Sequence, residues 1–189
     1  MDPLEIFAVV TSAACTLLLA MNRPLGWWIG LVGVVAYAVV FYRVRLFAEV
    51  GIQAVYFVTS LQAIWIWLHG GQQKQERPVS RLTLRWALIL LAVAILATWG
   101  LYELLVALRG AVPFWDAVTA VMSLVAHACL MFRIVENWWV WIAVDVIYIP
   151  LYISRGLYLT SVLYLAFLIM SIYGLINFLR IYREQQARL

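Results

Sequence analysis

The sequence predicts an all-α integral membrane protein: seven transmembrane helices in one transmembrane domain over residues 1–189, arranged as two parallel three-helix repeats joined by a connector helix (3+1+3). Three observations predict it. The composition is too apolar for a water-soluble surface, the chain breaks into seven long apolar runs, and its two ends match at one fixed shift.

Of the 189 residues, 67% are hydrophobic and 12% are charged. A soluble domain is about half apolar and about a quarter charged, so this chain lacks the polar surface to cover a globule in water. Lipid must be its solvent. A membrane helix needs roughly 20 apolar residues; seven of them with short loops fill the length and leave no room for a soluble domain. The formal net charge is +4, but the basic residues sit at the ends of apolar runs, where they orient a membrane protein. They carry no nucleic-acid signal. Cys15 and Cys129 fall within different runs and read as small buried hydrophobes, not as a disulfide.

The runs cover 4–21, 25–42, 46–68, 82–106, 114–132, 138–154 and 157–179. Asp2 and Glu5 precede the first run where a cleaved leader needs positive charge, so it reads as a retained helix. Breaks fall at Asn22-Arg23-Pro24, Arg43-Val44-Arg45, Arg109-Gly110 with Pro113, Arg133 to Asn137, and Arg155-Gly156. The segment His69 to Arg81 is the one linker-like stretch. Arg43, Arg45, Arg109 and Arg155 lie on the side of the N-terminus. Arg23, Lys74, Arg77, Arg81, Arg85, Arg133, Arg180, Arg183 and Arg188 lie on the other, which completes the 13 basic residues. This excess predicts an N-terminus outside the cell and a C-terminus in the cytoplasm.

A shift of 111 positions (138 against 27) aligns Ser12 with Ser123, Trp27-Trp28 with Trp138-Trp139, Tyr37 with Tyr148, and Ser60 with Ser171. Glu5 with Asp116, Phe41 with Tyr152, Phe47 with Tyr158, and Trp67 with Phe178 extend the match. The repeats are therefore 1–68 and 114–181, with 82–106 as connector. Three spans plus one is an even number, so both triplets enter the membrane in the same direction.

Trp138, Trp141, Asp145, Tyr148 and Tyr152 recur every three or four residues and share one helical face. An ionised carboxylate deep in hydrocarbon is costly unless it faces protein or water. Asp145 thus reads either as an acid beside a solute path or as a carboxylate held by structural hydrogen bonds. The matching face in the first half reads Trp27, Gly30, Val34, Tyr37 and Phe41, a smoother wall. The third run offers Gln53, Tyr56, Ser60 and Trp67. Gln53 either bridges helices or reads a ligand's amide, whereas Gln62 and the lone imidazole of His127 read as structural. Asn177 reads as interfacial, and Trp27 or Trp28 taken singly fits an aromatic belt. No phosphate-cradling glycine loop, metal cluster or Ser/His/Asp set is present in the sequence, so neither an enzyme, a cofactor nor ATP coupling is expected.

These residues resemble the nicotinamide riboside transporter (PnuC) family over the first three and last three runs. The likeness rests on Gly26-Trp27-Trp28-Ile29-Gly30 with Tyr37, on the stretch from Gln53 to Ser60, and above all on Glu136 to Asp145 with its Trp138-x-x-Trp141 spacing. The resemblance implies a SWEET-like, usually trimeric carrier that passes unphosphorylated vitamin precursors by facilitated diffusion. The reading that joins this resemblance to the residues above is uptake of nicotinamide riboside by alternating access, with Trp138, Trp141, Asp145, Tyr148, Gln53, Tyr37, Tyr56 and Ser60 as the expected substrate-binding residues. Carriage of thiamine, riboflavin or a nucleoside, or service as the membrane subunit of an ATP-driven importer, are the other readings. The expected partners are the solute, the bilayer and further copies of the chain.

Overall fold

Residues 3–43, 47–70, 76–107, 113–154 and 158–188 are described in the computed structural model. Among them run seven helices: α1 (Pro3–Ala20), α2 (Leu25–Arg43), α3 (Phe47–His69), α4 (Leu84–Ala107), α5 (Pro113–Met131), α6 (Asn137–Ser154) and α7 (Tyr158–Gln186). The side chains of Glu5, Phe41, Phe47, Tyr152 and Tyr158, and the turns at Arg45, Arg109-Gly110 and Arg155-Gly156, lie outside the described residues. By length and composition α4, α5 and Ser161–Gln186 of α7 are long and apolar enough to cross a membrane; α1, α2 and α6 carry shorter apolar stretches.

Local chemistry fixes the helix ends. α1 and α5 both open on proline, Pro3 and Pro113. At the first helical position the missing N–H costs nothing and φ is already helical. Both helices end through a residue of positive φ, Asn22 at 58° and Arg133 at 52°. After α1 the Arg23 amide donates to the Leu18 carbonyl and the Asn22 amide to Leu19, each at 2.9 Å, which is a Schellman cap. After α5 the Ile134 amide donates to the Cys129 carbonyl at the same 2.9 Å. The next helices then start alike, through Gly26 N–H to Arg23 and Trp27 N–H to Pro24, and through Asn137 N–H to Ile134 and Trp138 N–H to Val135. Each of the second set stands 111 positions after its counterpart (133 minus 22).

The chain forms two compact units. The first comprises Met1–Val79, Met131–Arg133 and Ile176–Leu189. Within it α1 packs on α2 and α2 on α3. The α1–α2 seam is close because α2 puts glycines there: a Cβ at Gly30 would come 2.8 Å from Cys15 Sγ, and one at Gly33 2.9 Å from Thr11 Oγ1. Gly30 is therefore a helix-packing position and not part of a smooth solute wall. Trp67 is fully buried, edge-on to Trp27 (centroids 5.8 Å apart) and tilted against Phe178 (6.4 Å). Trp27, at 2% exposure, is core; Trp28, at 51%, is the residue that fits a belt. Asn177 is not merely interfacial, since its Nδ2 donates to the Ala20 carbonyl at 3.0 Å and satisfies an end group of α1.

The second unit comprises Ser80–Leu130 and Ile134–Leu175. In it α4 has no buried residue at all. Its one acid, Glu103, accepts a hydrogen bond from Trp99 Nε1 at 3.0 Å, one turn away.

Two expectations need amendment. The stretch expected as a linker is held in its described part: the Arg77 amide donates to Trp67 O, Val79 is buried, and Ser80 O accepts from the Val135 amide at 3.0 Å. Open carbonyls at the end of α3 and bare amides at the 131–137 turn need partners, and this strand supplies them. α7 also runs past the predicted ends at 179 and 181 to Gln186. Apolarity marks where the hydrocarbon stops, but the backbone ladder continues, helped by Arg180 donating to Glu184 at 2.8 Å.

Candidate functional site

The eight candidate residues divide between the units, and each group has its own surroundings. In the second unit α6 carries Trp138, Trp141, Asp145 and Tyr148, and their neighbours come from α7. Asp145 is 3% exposed, and its Oδ2 accepts a hydrogen bond from Ser171 Oγ at 3.1 Å. The carboxylate therefore points into protein rather than lipid. Trp138 is 1% exposed and lies across Gly174. Tyr148 packs on Tyr164 with ring centroids 4.7 Å apart, and Ser161 Oγ donates to the Ile149 carbonyl at 3.2 Å. Trp141 is half-buried on the same face, while Trp139 is exposed. The spacing that put these residues on one face thus gives an α6 stripe turned to α7. Sequence reasoning missed Ser171 and Tyr164 as partners; the signal available was the need of a buried carboxylate for a donor on a neighbouring span.

In the first unit Tyr37, Gln53 and Tyr56 are half-buried and Ser60 is buried. Gln62 is exposed. His127, in the second unit, is half-buried on α5.

Sequence reasoning also missed Arg133, which it counted only as a topological charge. Held in the left-handed region, it sends its guanidinium inward, 4.4 Å from the centroid of the Trp67 ring. Nη1 donates to the Arg77 carbonyl, and Nη2 approaches Glu76 Oε2 at 3.4 Å. Burial draws the Arg133 pKa below its ordinary value, and the Glu76 carboxylate opposes that shift. Arg77 in turn lies over Phe132 at 5.2 Å, and its Nε donates to the Phe132 carbonyl at 2.9 Å. In the second unit Glu136 accepts from Arg81 Nε at 2.8 Å and from the Leu82 amide at 2.9 Å. The α5–α6 turn thus makes cation–π and charge-assisted contacts in addition to the burial of Val79 and Val135.

Among the described residues no three His, Cys, Asp or Glu side chains group as metal ligands. A cavity of about 590 Å³ opens on the first unit, lined by Leu4, Phe7, Leu31, Val32, Val35, Ala36, Val39, Arg43 and Phe57. It holds none of the candidate residues and is almost wholly apolar, as a lipid-facing groove would be.

Seven apolar helices that keep a carboxylate and three indoles inside (Asp145, Trp27, Trp67 and Trp138) describe a multi-pass membrane protein. The sequence matches the nicotinamide mononucleotide transporter family over residues 2–180, and the chain belongs to that family. It is similar to the nicotinamide riboside transporter PnuC of Escherichia coli (strain K12), with 22% identity over 98% of this chain and 88% of that one. Similarity to the nicotinamide riboside transporter PnuC of Neisseria mucosa is 28% over 96% of this chain and 73% of that one. A crystal structure of the vitamin B3 transporter PnuC superposes with a TM-score of 0.74 at 27% identity, covering 96% of this chain and 82% of that one. The chain is accordingly a multi-pass inner-membrane transport protein and not an enzyme.

Proposed function

We propose that this protein carries nicotinamide riboside across the bacterial inner membrane by facilitated diffusion, with alternating access to a site on the α6 face. The observation that carries the reading is the α6 stripe: Trp138 and Asp145 held inside by α7, in a chain whose relatives bear the name nicotinamide riboside transporter. A pyridinium ring is flat and cationic, and a cation over the face of Trp or Tyr gains roughly 0.5–2 kcal/mol, more when dehydrated. Trp138 and Trp141 stack on the ring, and Asp145 offsets the loss of hydration of its charge. Tyr148 lies further along the same face, and Gln53, Tyr37, Tyr56 and Ser60 supply amide and hydroxyl groups for the carboxamide and ribose. Trp138 and Asp145 are closed off in this conformation, so entry of the solute requires α6 or α7 to move.

The recurrence at a shift of 111 positions of the caps after α1 and α5, and of the hydrogen bonds that open α2 and α6, supports two three-helix repeats around α4. An α4 with no buried residue supports assembly with further copies of the chain, in a trimer. The N-terminus faces the periplasm and the C-terminus the cytoplasm.

The test is uptake of radiolabelled nicotinamide riboside into liposomes that hold only the purified protein. Uptake down a gradient without ATP is expected, and it is competed by unlabelled riboside. No uptake, or uptake only with an added ATPase, overturns the reading.

A further inference from the structure

The α6 stripe lies against α7 at a glycine whose position matters more than its softness. An added Cβ at Gly174 would fall 2.6, 2.7 and 2.8 Å from Cε2, Cδ2 and Cε3 of Trp138. Real Cβ atoms essentially never approach that closely, and all three atoms belong to the benzo ring of the indole, around its fused edge. The ring therefore lies with its body across the helix backbone at 174. It has little room to retreat. Trp138 is 1% exposed, and its own amide is fixed to the Val135 carbonyl at 3.2 Å. Three residues earlier on α7, Ser171 holds Asp145.

We propose that Gly174 is a positioning residue for the solute site: by placing no side chain between α7 and the Trp138 indole, it sets the plane on which the solute ring stacks. The inference rests on the proposed role of Trp138 in binding. Two comparisons within the chain separate it from ordinary helix packing. At Gly30 and Gly33 the missing Cβ makes room for Cys15 and Thr11, small side chains of a neighbouring helix. At Gly174 the three nearest atoms are all indole. The residue 111 positions earlier (174 minus 63) is Ala63, which is fully buried, so helix approach at the matching place of the first triplet tolerates a methyl group. A glycine inside a helix is less favourable than an alanine, because it gives up more backbone freedom on folding. The ring on which the site depends is the counterweight.

The experiment uses the solubilised full-length protein as wild type, G174A, W138F and the double variant. Near-UV circular dichroism reads the Trp138 environment as the difference between wild type and W138F, and calorimetric titration with nicotinamide riboside reads binding. G174A is expected to abolish that difference band and to raise Kd roughly tenfold or more, as for a binding group displaced by about an ångström. In the W138F background the same glycine substitution changes Kd by less than about twofold, because two changes acting through one ring are not additive. If G174A does not fold but the double variant does, the clash is with the ring and the inference stands. An unchanged band and Kd in G174A overturns it, as do equal losses in both backgrounds or a double variant that fails to fold while W138F folds. If the wild type does not bind the riboside, the carrier reading fails, and the dichroism band still decides the role of Gly174.

Discussion

At Asp145 the carboxylate is 3% exposed and accepts a hydrogen bond from Ser171. A structural carboxylate and a solute-binding one respond differently to loss of charge. Asp145→Asn keeps an oxygen that accepts from Ser171, so the solubilised protein should retain its yield and melting temperature. Binding of the cationic riboside should weaken about 10- to 100-fold, the equivalent of a charged hydrogen bond. Equal affinity in the variant would make Asp145 structural alone. Arg133 raises the opposite question. Its guanidinium stacks on Trp67 and donates to the Arg77 carbonyl, while its partner Glu76 is largely exposed and the ion pair adds little. Arg133→Gly should therefore lower stability by about 2–4 kcal/mol, even though it relieves the backbone. Melting of the solubilised protein checks this, and Glu76→Gln serves as the mild control.

The two helix-ending turns carry a matched prediction at the scale of elements. Asn22 and Arg133 occupy the same cap geometry, but only Arg133 has a side chain bound elsewhere. Asn22 Oδ1 is buried with no hydrogen-bond partner among the described residues. Asn22→Gly should hold or raise the melting temperature, because glycine removes a left-handed cost of about 1 kcal/mol. The same substitution at Arg133 lowers it. α4 offers a second test. It has no buried residue, yet its exposed face includes Leu91, Ile95, Leu96 and Trp99. Leu96→Arg, near its centre, should cost about 2.5–3.5 kcal/mol of insertion free energy. The fraction of chains integrated into membranes measures it, and undiminished integration would place α4 outside the hydrocarbon.

For the whole molecule the basic residues predict orientation more firmly than any contact does. A cysteine introduced at Gln185, beyond the apolar part of α7, should resist an impermeant maleimide in intact cells and react after permeabilisation. Labelling in intact cells would invert the topology. Much of this architecture is legible in the sequence because each run declares its own periodicity and its own hydropathy. The face shared by Trp138, Trp141, Asp145 and Tyr148 follows from spacing along a single helix. The cap residues, the length of α7 and the anchored strand before α4 are not legible in that way. They depend on where backbone groups find partners, and apolarity carries no information about that.

By itself the sequence determined that lipid is the solvent, that the chain folds as helices, and that a carboxylate is committed to one buried stripe. Insertion is decided by transfer free energies summed locally along the chain, and local sums can be read from one sequence. Only the tertiary structure decided which tryptophan of each pair turns inward, that Ser171 holds Asp145, that Gly174 backs Trp138, and that Arg133 reaches Trp67. Those choices are made between residues 26 to 66 positions apart (171 minus 145, 133 minus 67), where hydrogen-bond geometry and ring packing between helices select the partner.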